Sequence, residues 1–441
     1  MSDTLIAGPA PAPLTGSLQP PGDKSISHRA VMLAALADGD TRIGGFLPGE
    51  DNLATARMFS QMGVRIEWLD TAKTALQVHG VGLRGLKAPE GVLDAGNSGT
   101  AVRLMTGVLA GQSFASTLDG DASLRRRPMR RVVEPVRRMG ARVEGRDGGE
   151  YLPLTIHGGA LHGIEHVSPV ASAQVKSCVL LAGLYAEGLT CVREPRPSRD
   201  HTERMLPLFG QPVEVRDNAV TLMPVGRLVA PDAEVSIPAD PSSASFFAVA
   251  ASLVPGSEIY LRGLGVNPRR DGWRRILSAM GGAMTEEGCT TLGEEPVADI
   301  VVSHTRLHGL QVDSTDVADA IDEFPILFVA AALAEGEFTL CGAGELRVKE
   351  SDRIASMAAC LAACGVEVRE AADGIRIRGR DTLRGGVSID AMGDHRIAMA
   401  MAVAAQCATG AVEIRRAGGI HTSFPGFVDM ARAIGMQVAW A

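Results

Sequence analysis

HRAVMLAALADG, the stretch from His28 to Gly39, is an Ala-rich apolar run that ends at a glycine, and the chain repeats this pattern five more times. The other copies read AVRLMTGVLAG, VKSCVLLAGLYAEG, SASFFAVAASLVPG, FPILFVAAALAEG and RIAMAMAVAAQCATG. Their last residues are Gly111, Gly188, Gly256, Gly336 and Gly410, so the spacings from Gly39 onward are 72, 77, 68, 80 and 74 residues. A second landmark keeps the same period. It is a short apolar–Gly step followed by a strand-like run, at Gly63, Gly140, Gly210, Gly281, Gly365 and Gly435. Two landmarks with one period identify a structural repeat. The first helix of each copy carries few charges on any face, which predicts burial on all sides, whereas the second is amphipathic and predicted to lie outside. The glycine closing each first helix is expected in a left-handed conformation.

Six units of strand, buried helix, strand, outer helix and two strands predict an α/β protein of two domains with three units each. The first domain is expected over residues 22–237. The sixth copy stops at MQVAWA, one strand short, so the N-terminal segment is expected to complete it. The second domain would then be discontinuous, over 1–21 and 238–441. A chain of 441 residues is also too long for one ordinary core.

The turns before the buried helices collect the polar residues: PGDKSISHR, DAGNSGTAVR, VASAQVK, PADPSSAS, VADAIDEFP and AMGDHR. A helix N-terminus presents unpaired N–H groups and the positive end of the dipole, so it favours phosphate or carboxylate. Capping alone would explain Ser25, Ser98 and Ser172. It does not explain the cations that travel with them, namely Lys24 with Arg29, Arg103, Lys176 and Arg396. GDASLRRRPMRR adds Arg127 among four other arginines that a solvated face accounts for. LRVKESDR places Lys349, Glu350 and Arg353 within five residues. Glu350 between cations is available for proton transfer, and Arg353 can grip an oxyanion through two N–H groups. Asp322 and Glu323 open a buried helix, where an idle carboxylate would be costly.

The rest of the sequence excludes several classes. A net charge of −8 argues against a general nucleic-acid or membrane-surface binder, so anions must be held by local cations. Seven scattered cysteines form no CxxC pair and suit a reducing compartment. The opening MSDTLIAGPAPAPL has no basic region followed by an apolar core, and the longest apolar run, about Phe324–Ala334, is short of a membrane span. A cytoplasmic location is expected. GVGLRG, from Gly80 to Gly85, has the dinucleotide spacing, but KAPEG follows where a helix should open. His157, His162 and His166 lack the partners of a metal site and are expected in loops. No metal and no nucleotide cofactor is expected.

PGDKSISHR, GNSGT-x-x-R-L, GDxSLxxRPM, LRVKESDR and GDHRIAM, in this order from about Leu14 to the end, resemble the 5-enolpyruvylshikimate-3-phosphate synthase family. ASAQVKS and SRDHTE are similar to the branch that often tolerates the inhibitor glyphosate. The resemblance implies an inverse α/β fold in which two three-unit domains close on the substrates. It implies transfer of the enolpyruvyl group of phosphoenolpyruvate to the 5-hydroxyl of shikimate 3-phosphate, by a monomer that needs no cofactor. By resemblance, Lys24, Ser25, Arg29, Ser172, Ala173, Gln174, Asp322 and Lys349 meet shikimate 3-phosphate. Lys24, Gly99, Arg127, Gln174, Arg353 and Arg396 meet phosphoenolpyruvate. Asp322 is then the base on the hydroxyl, Glu350 the partner that protonates the enol methylene, and Lys24 a third catalytic group.

Three positions depart from the family pattern. Ala173 stands where a second Ser is usual, Glu345 where Asn is common, and Thr422 where a Lys precedes the Phe-Pro pair. Two alternatives compete with the main reading. One is the sister enzyme that uses UDP-N-acetylglucosamine, which usually carries a Cys where Ala122 stands and lacks the PGDKSISHR opening. The other is a non-catalytic anion-binding protein on the same repeat, against which Asp322, Glu350 and Lys24 argue.

Overall fold

The computed structural model describes residues 3–441 and is a mixed α/β chain. It divides into two compact units. One comprises Met1–Pro21, Pro238–Thr291 and Glu295–Ala441; the other comprises Gly22–Ile237 with Leu292–Glu294. Each unit has its own apolar core, built around three buried helices. In the unit that starts at Gly22 these are α1 (Lys24–Leu36), α2 (Gly99–Ala110) and α3 (Ala173–Gly183). In the other they are α4 (Pro241–Leu253), α5 (Phe324–Ala332) and α6 (His395–Ala404). Every residue of α5 is buried, as a helix apolar all round requires.

Each buried helix feeds a strand that enters a small sheet of recurring order. After α1, strand Ala37–Gly44 lies between the parallel strands Leu228–Val229 and Val235–Ser236 on one side and antiparallel Ala75–Val81 on the other. Arg65–Trp68 pairs on the far side of Ala75–Val81. The same order recurs after α2, α3 and α4. After α5 the leading strand is reduced to isolated parallel bridges, such as Gln311 with Thr339. After α6 the last strand of the pattern comes from the opposite end of the chain. Leu5–Gly8 pairs antiparallel with both Val412–Arg415 and Gln437–Trp440, in the place the sixth copy leaves open.

The two glycine landmarks behave differently. The second set, Gly63, Gly140, Gly210, Gly281, Gly365 and Gly435, has φ between 80° and 113° throughout. Left-handed backbone after a helix is the conformation that favours glycine. The first set meets that expectation at Gly39, Gly188, Gly256 and Gly336 but not at Gly111 or Gly410. Gly111 stays right-handed, with φ −89°. Packing explains the glycine there, since a Cβ would lie 2.1 Å from the ring of Tyr185. Gly39 itself falls inside the strand after α1, not at the helix end.

The histidines expected in loops are on strands instead. His157 ends Tyr151–His157, His162 ends Leu161–His162 and His166 is central in Glu165–Val167. Alternation buries His166, and that burial lowers its pKa. Among the described residues no helix is long and apolar enough to cross a membrane.

Candidate active site

In the unit starting at Gly22, the polar groups gather at the N-termini of α1, α2 and α3. Asp23 caps α1 by accepting from the Ile26 N–H at 2.9 Å, satisfying one of the free donors. Lys24, the first residue of α1, pairs its ammonium with the carboxylate of Asp51, and Asn52 donates to the Lys24 carbonyl at 2.9 Å. Asp51 and Asn52 come from the outer helix Glu50–Gln61. Nothing in the sequence near Lys24 announces that partnership.

Arg29 lies one turn into α1 and is buried. Its Nε donates to Thr202 Oγ1 and its Nη2 to Ser177 Oγ, each at 2.7 Å, and its Nη1 donates to the Ser25 carbonyl at 2.9 Å. It therefore ties the first turn of α1 to α3 and to the helix His201–Leu208. His28, fully buried beside it, has a pKa pushed well down by burial, then by Lys24 and Arg29. It stays neutral between Thr55 Oγ1 at 2.8 Å and Ser98 Oγ at 3.5 Å.

At the start of α2, Ser98 caps the helix through the Ala101 N–H. Gly99 follows, with two guanidinium groups above it. A Cβ at Gly99 would lie 2.9 Å from Arg103 Nη1 and 3.3 Å from Arg127 Nη1. Arg127 Nη2 donates to Asn97 Oδ1 at 2.5 Å. Arg103 Nη1 donates to Gln174 Oε1 at 2.8 Å, and Gln174 Nε2 donates to Thr100 Oγ1 at 3.0 Å. Gln174 thus joins the first turns of α2 and α3. Ser172 caps α3 through the Val175 N–H, while its own N–H donates to Glu194 at 2.8 Å. The neighbouring arginines of Arg127 are used elsewhere, Arg125 on Asp119 and Arg130 on Glu150.

Lys176 does not join this cationic group. Its side chain is buried between Glu203 at 2.7 Å and Glu194 at 2.9 Å. Burial works against its charge, but the two carboxylates more than offset that and raise its pKa. Two carboxylates face one ammonium here, and burial pushes Glu203 up. Sequence reasoning counted Lys176 among the cations facing an anion because its turn matches the others. Its second carboxylate partner, Glu203, lies 27 residues further along the chain, in SRDHTE.

In the other unit, an acidic residue precedes each of α4, α5 and α6. Asp240 accepts from the Ser242 N–H and Asp394 from the Arg396 N–H. Arg353, 1% exposed, sits among three carboxylates. Its Nε lies 2.9 Å from Asp394, its Nη2 2.6 Å from Glu350 and its Nη1 3.3 Å from Asp322. Burial opposes its charge, and Asp394, Glu350 and Asp322 overcome that and raise its pKa. Asp394 is also disfavoured as an anion by burial, yet Arg353 holds it below the usual range. Lys349 Nζ lies 3.2 Å from the same Asp322 oxygen that faces Arg353. Asp322 is thus an acceptor between two cations at the edge of a helix N-terminus.

Arg396 Nη1 donates to the Asp322 carbonyl at 2.8 Å and lies 3.6 Å from Glu323 Oε1. Its Nε–Nη2 edge has no partner among the described residues. Thr422 turns its hydroxyl onto the Gly419 carbonyl at 2.7 Å. Sequence reading named neither Asp394 nor Arg270. Arg270 is buried and donates to Asp240 and Ser242 at 2.9 and 2.8 Å.

The structure therefore brings together two sets of the sequence-derived candidates. Lys24, Ser25, Arg29, Gly99, Ser172, Ala173 and Gln174 lie at or near the helix starts of one unit, and Arg127 reaches over Gly99 from outside those helices. Asp322, Lys349, Glu350, Arg353 and Arg396 form one cluster in the other.

The sequence pattern of EPSP synthase (3-phosphoshikimate 1-carboxyvinyltransferase) matches residues 9–430. The chain is 52% identical over 435 residues to the 3-phosphoshikimate 1-carboxyvinyltransferase of Methylococcus capsulatus, with 98% of each chain covered. It is 54% identical over 429 residues to that of Xanthomonas euvesicatoria, covering 97% of this chain and 96% of the relative. Among solved structures, an EPSP synthase from Acinetobacter baumannii superposes with a TM-score of 0.87 at 44% identity, with 99% of each chain covered.

Proposed function

The chain belongs to the EPSP synthase family and transfers the enolpyruvyl group of phosphoenolpyruvate to shikimate 3-phosphate, and from that premise we propose how its residues divide the work. Asp322 takes the proton of the 5-hydroxyl as its oxygen attacks the enol carbon. Glu350 supplies a proton to the methylene, giving a tetrahedral ketal. When the C–O bond to phosphate breaks, the methyl group returns a proton and the vinyl ether forms. Lys24, Arg127, Arg353 and Arg396 hold the phosphate and carboxylate of phosphoenolpyruvate, with Gly99 leaving room and Gln174 alongside. Ser25, Arg29, Ser172, Ala173, Gln174 and Lys349 hold shikimate 3-phosphate.

The observation that carries this reading is the cluster around Asp322. A carboxylate held by Lys349 and Arg353 is fixed in place to accept a hydroxyl proton, and fixed cations stabilise charge as it develops. Arg396, anchored at Nη1 alone, keeps a planar edge with two N–H directions for an oxyanion. Arg353 would have to share its guanidinium between ligand and three carboxylates, so its part is more that of a field than of a clamp. The same reading carries the family's inverse α/β arrangement in two domains of three repeats, over 22–237 and over 1–21 with 238–441. It also carries a monomer acting in the cytoplasm.

The test is phosphate release on mixing the two substrates, in wild type and Asp322→Asn. Release by the wild type and a loss of about 100-fold or more in kcat for Asp322→Asn, with shikimate 3-phosphate still bound, is the expected result. Turnover that survives the substitution would refute Asp322 as the base.

A further inference from the structure

The three acidic residues that precede α4, α5 and α6 are not equivalent. Asp240 and Asp394 spend a carboxylate oxygen on an N–H of their own helix. Glu323, which precedes α5, makes no such bond. Yet it is a costly place for an anion, being 1% exposed. Its Oε1 accepts from Ser242 Oγ and faces Arg396 Nη1 at 3.6 Å, while its Oε2 has no partner. Ser242 is held in turn by Arg270 Nη2 at 2.8 Å, and the same Nη2 lies 2.9 Å from Asp240. A chain of contacts thus runs Arg270, Ser242, Glu323, Arg396 across the first turns of all three buried helices. A buried carboxylate that does not cap must be compensated by a cation, and among the described residues the cation paired with it is Arg396.

From this we infer that Glu323 is a positioning residue for Arg396, fixing the guanidinium by Nη1 so that its Nε–Nη2 edge is presented to an anionic substrate group. The inference rests on the reading of Arg396 as a phosphoenolpyruvate contact. Two anchors on one nitrogen, the Asp322 carbonyl and Glu323, define both the position and the plane of the guanidinium. The Asp322 carbonyl alone would leave it free to swing about that bond. Ser242 and Arg270 fix Glu323 and have no part in contacting substrate.

The experiment compares Glu323→Gln, Ser242→Ala, Arg396→Lys and the double variant Glu323→Gln with Arg396→Lys. Glu323→Gln is nearly isosteric and keeps an acceptor for Ser242, so the fold survives. We expect KM for phosphoenolpyruvate to rise about tenfold, the size of one lost charge-assisted contact. KM for shikimate 3-phosphate should stay within about twofold. Ser242→Ala should move the same constant in the same direction by roughly threefold. The double variant should be no worse for phosphoenolpyruvate than Arg396→Lys alone, because Glu323 acts only through Arg396. A uniform fall in kcat with unchanged KM, or effects that multiply in the double variant, would make Glu323 merely structural and overturn the inference. If Arg396→Lys shifts KM but Glu323→Gln does not, the inference alone fails. If Arg396→Lys leaves KM unchanged, the reading of Arg396 fails and takes the inference with it.

Discussion

Replacing Gly99 by Ala adds one methyl group at a point where the structure specifies what it meets. The new Cβ would stand 2.9 Å from Arg103 Nη1 and 3.3 Å from Arg127 Nη1. An ordinary carbon contact is about 3.5–4.0 Å, so Arg103 must retreat by roughly 0.6 Å or more and Arg127 by less. Neither guanidinium is loose. Arg103 is tied to Gln174 and the Pro128 carbonyl, and Arg127 to Asn97. Stretching one such bond costs on the order of 1 kcal/mol. Ala in place of Gly in a helix returns up to about 1 kcal/mol, so the melting temperature should hardly move. The effect should appear in ligand binding. Phosphoenolpyruvate, proposed to sit against Arg127, should lose roughly two- to fivefold in KM, from about 0.5–1 kcal/mol. Glyphosate, a longer molecule in the same space, should also clash with the methyl itself and lose at least about tenfold more in inhibition constant. The assay is steady-state phosphate release with both ligands, in wild type and variant. Equal factors for the two ligands, or no change in either, would refute the placement of the pocket over Gly99.

Lys24→Met should lower turnover by about 1,000-fold, through loss of charge stabilisation, and also destabilise the unit by roughly 1–3 kcal/mol, because Asp51 is left buried without its ammonium partner. Adding Asp51→Asn should restore the unfolding midpoint in urea but not kcat; restored kcat would remove Lys24 from the chemistry. Lys176→Met should cost about 3–5 kcal/mol in the same unfolding measurement, since two buried carboxylates lose their common cation; a cost below 1 kcal/mol would show that water reaches the triad. Asp271 has its pKa raised from 3.8 to about 6, chiefly by burial. Its stabilising contribution is therefore fully present below pH 4 and lost as pH rises through 6. Asp271→Asn should stabilise the protein by up to about 3 kcal/mol above pH 6, with the gain fading between pH 6 and 4; a gain independent of pH would refute burial as its cause.

The repeat was legible because it rests on local rules, an apolar helix with few charges followed by a turn. The strand order of the small sheets was not, since pairing between Leu5–Gly8 and Gln437–Trp440 joins residues more than 400 apart. Candidate residues could be placed at a helix start where a cation and a cap share one turn, as at Lys24 and Arg396. They were misread where the decisive partner is distant in sequence. Lys176 has the same local setting as Arg103, and only Glu194 and Glu203 reveal it as a structural charge. Gly111 likewise reads as a helix terminator, although the Tyr185 ring is what excludes a side chain there.

How an acidic chain can bind two anionic substrates follows from where its charges are placed. At the helix starts of the unit beginning at Gly22, Lys24, Arg29, Arg103, Arg127 and Lys176 stand with Asp23, Asp51, Glu194 and Glu203, and the caps of α2 and α3 are neutral serines. That surplus of cations adds to three helix dipoles of the same sign. In the other unit, Lys349, Arg353 and Arg396 stand against Asp322, Glu323, Glu350 and Asp394, so the cations are more than matched. An anion arriving there gains less from net charge than from the orientation of individual N–H groups. The first arrangement suits capture of phosphate, and the second suits carboxylates that must take up and release protons beside fixed cations. Removing one carboxylate from the second cluster should therefore change the pH profile of kcat, whereas removing one cation from the first should chiefly raise KM and its dependence on salt.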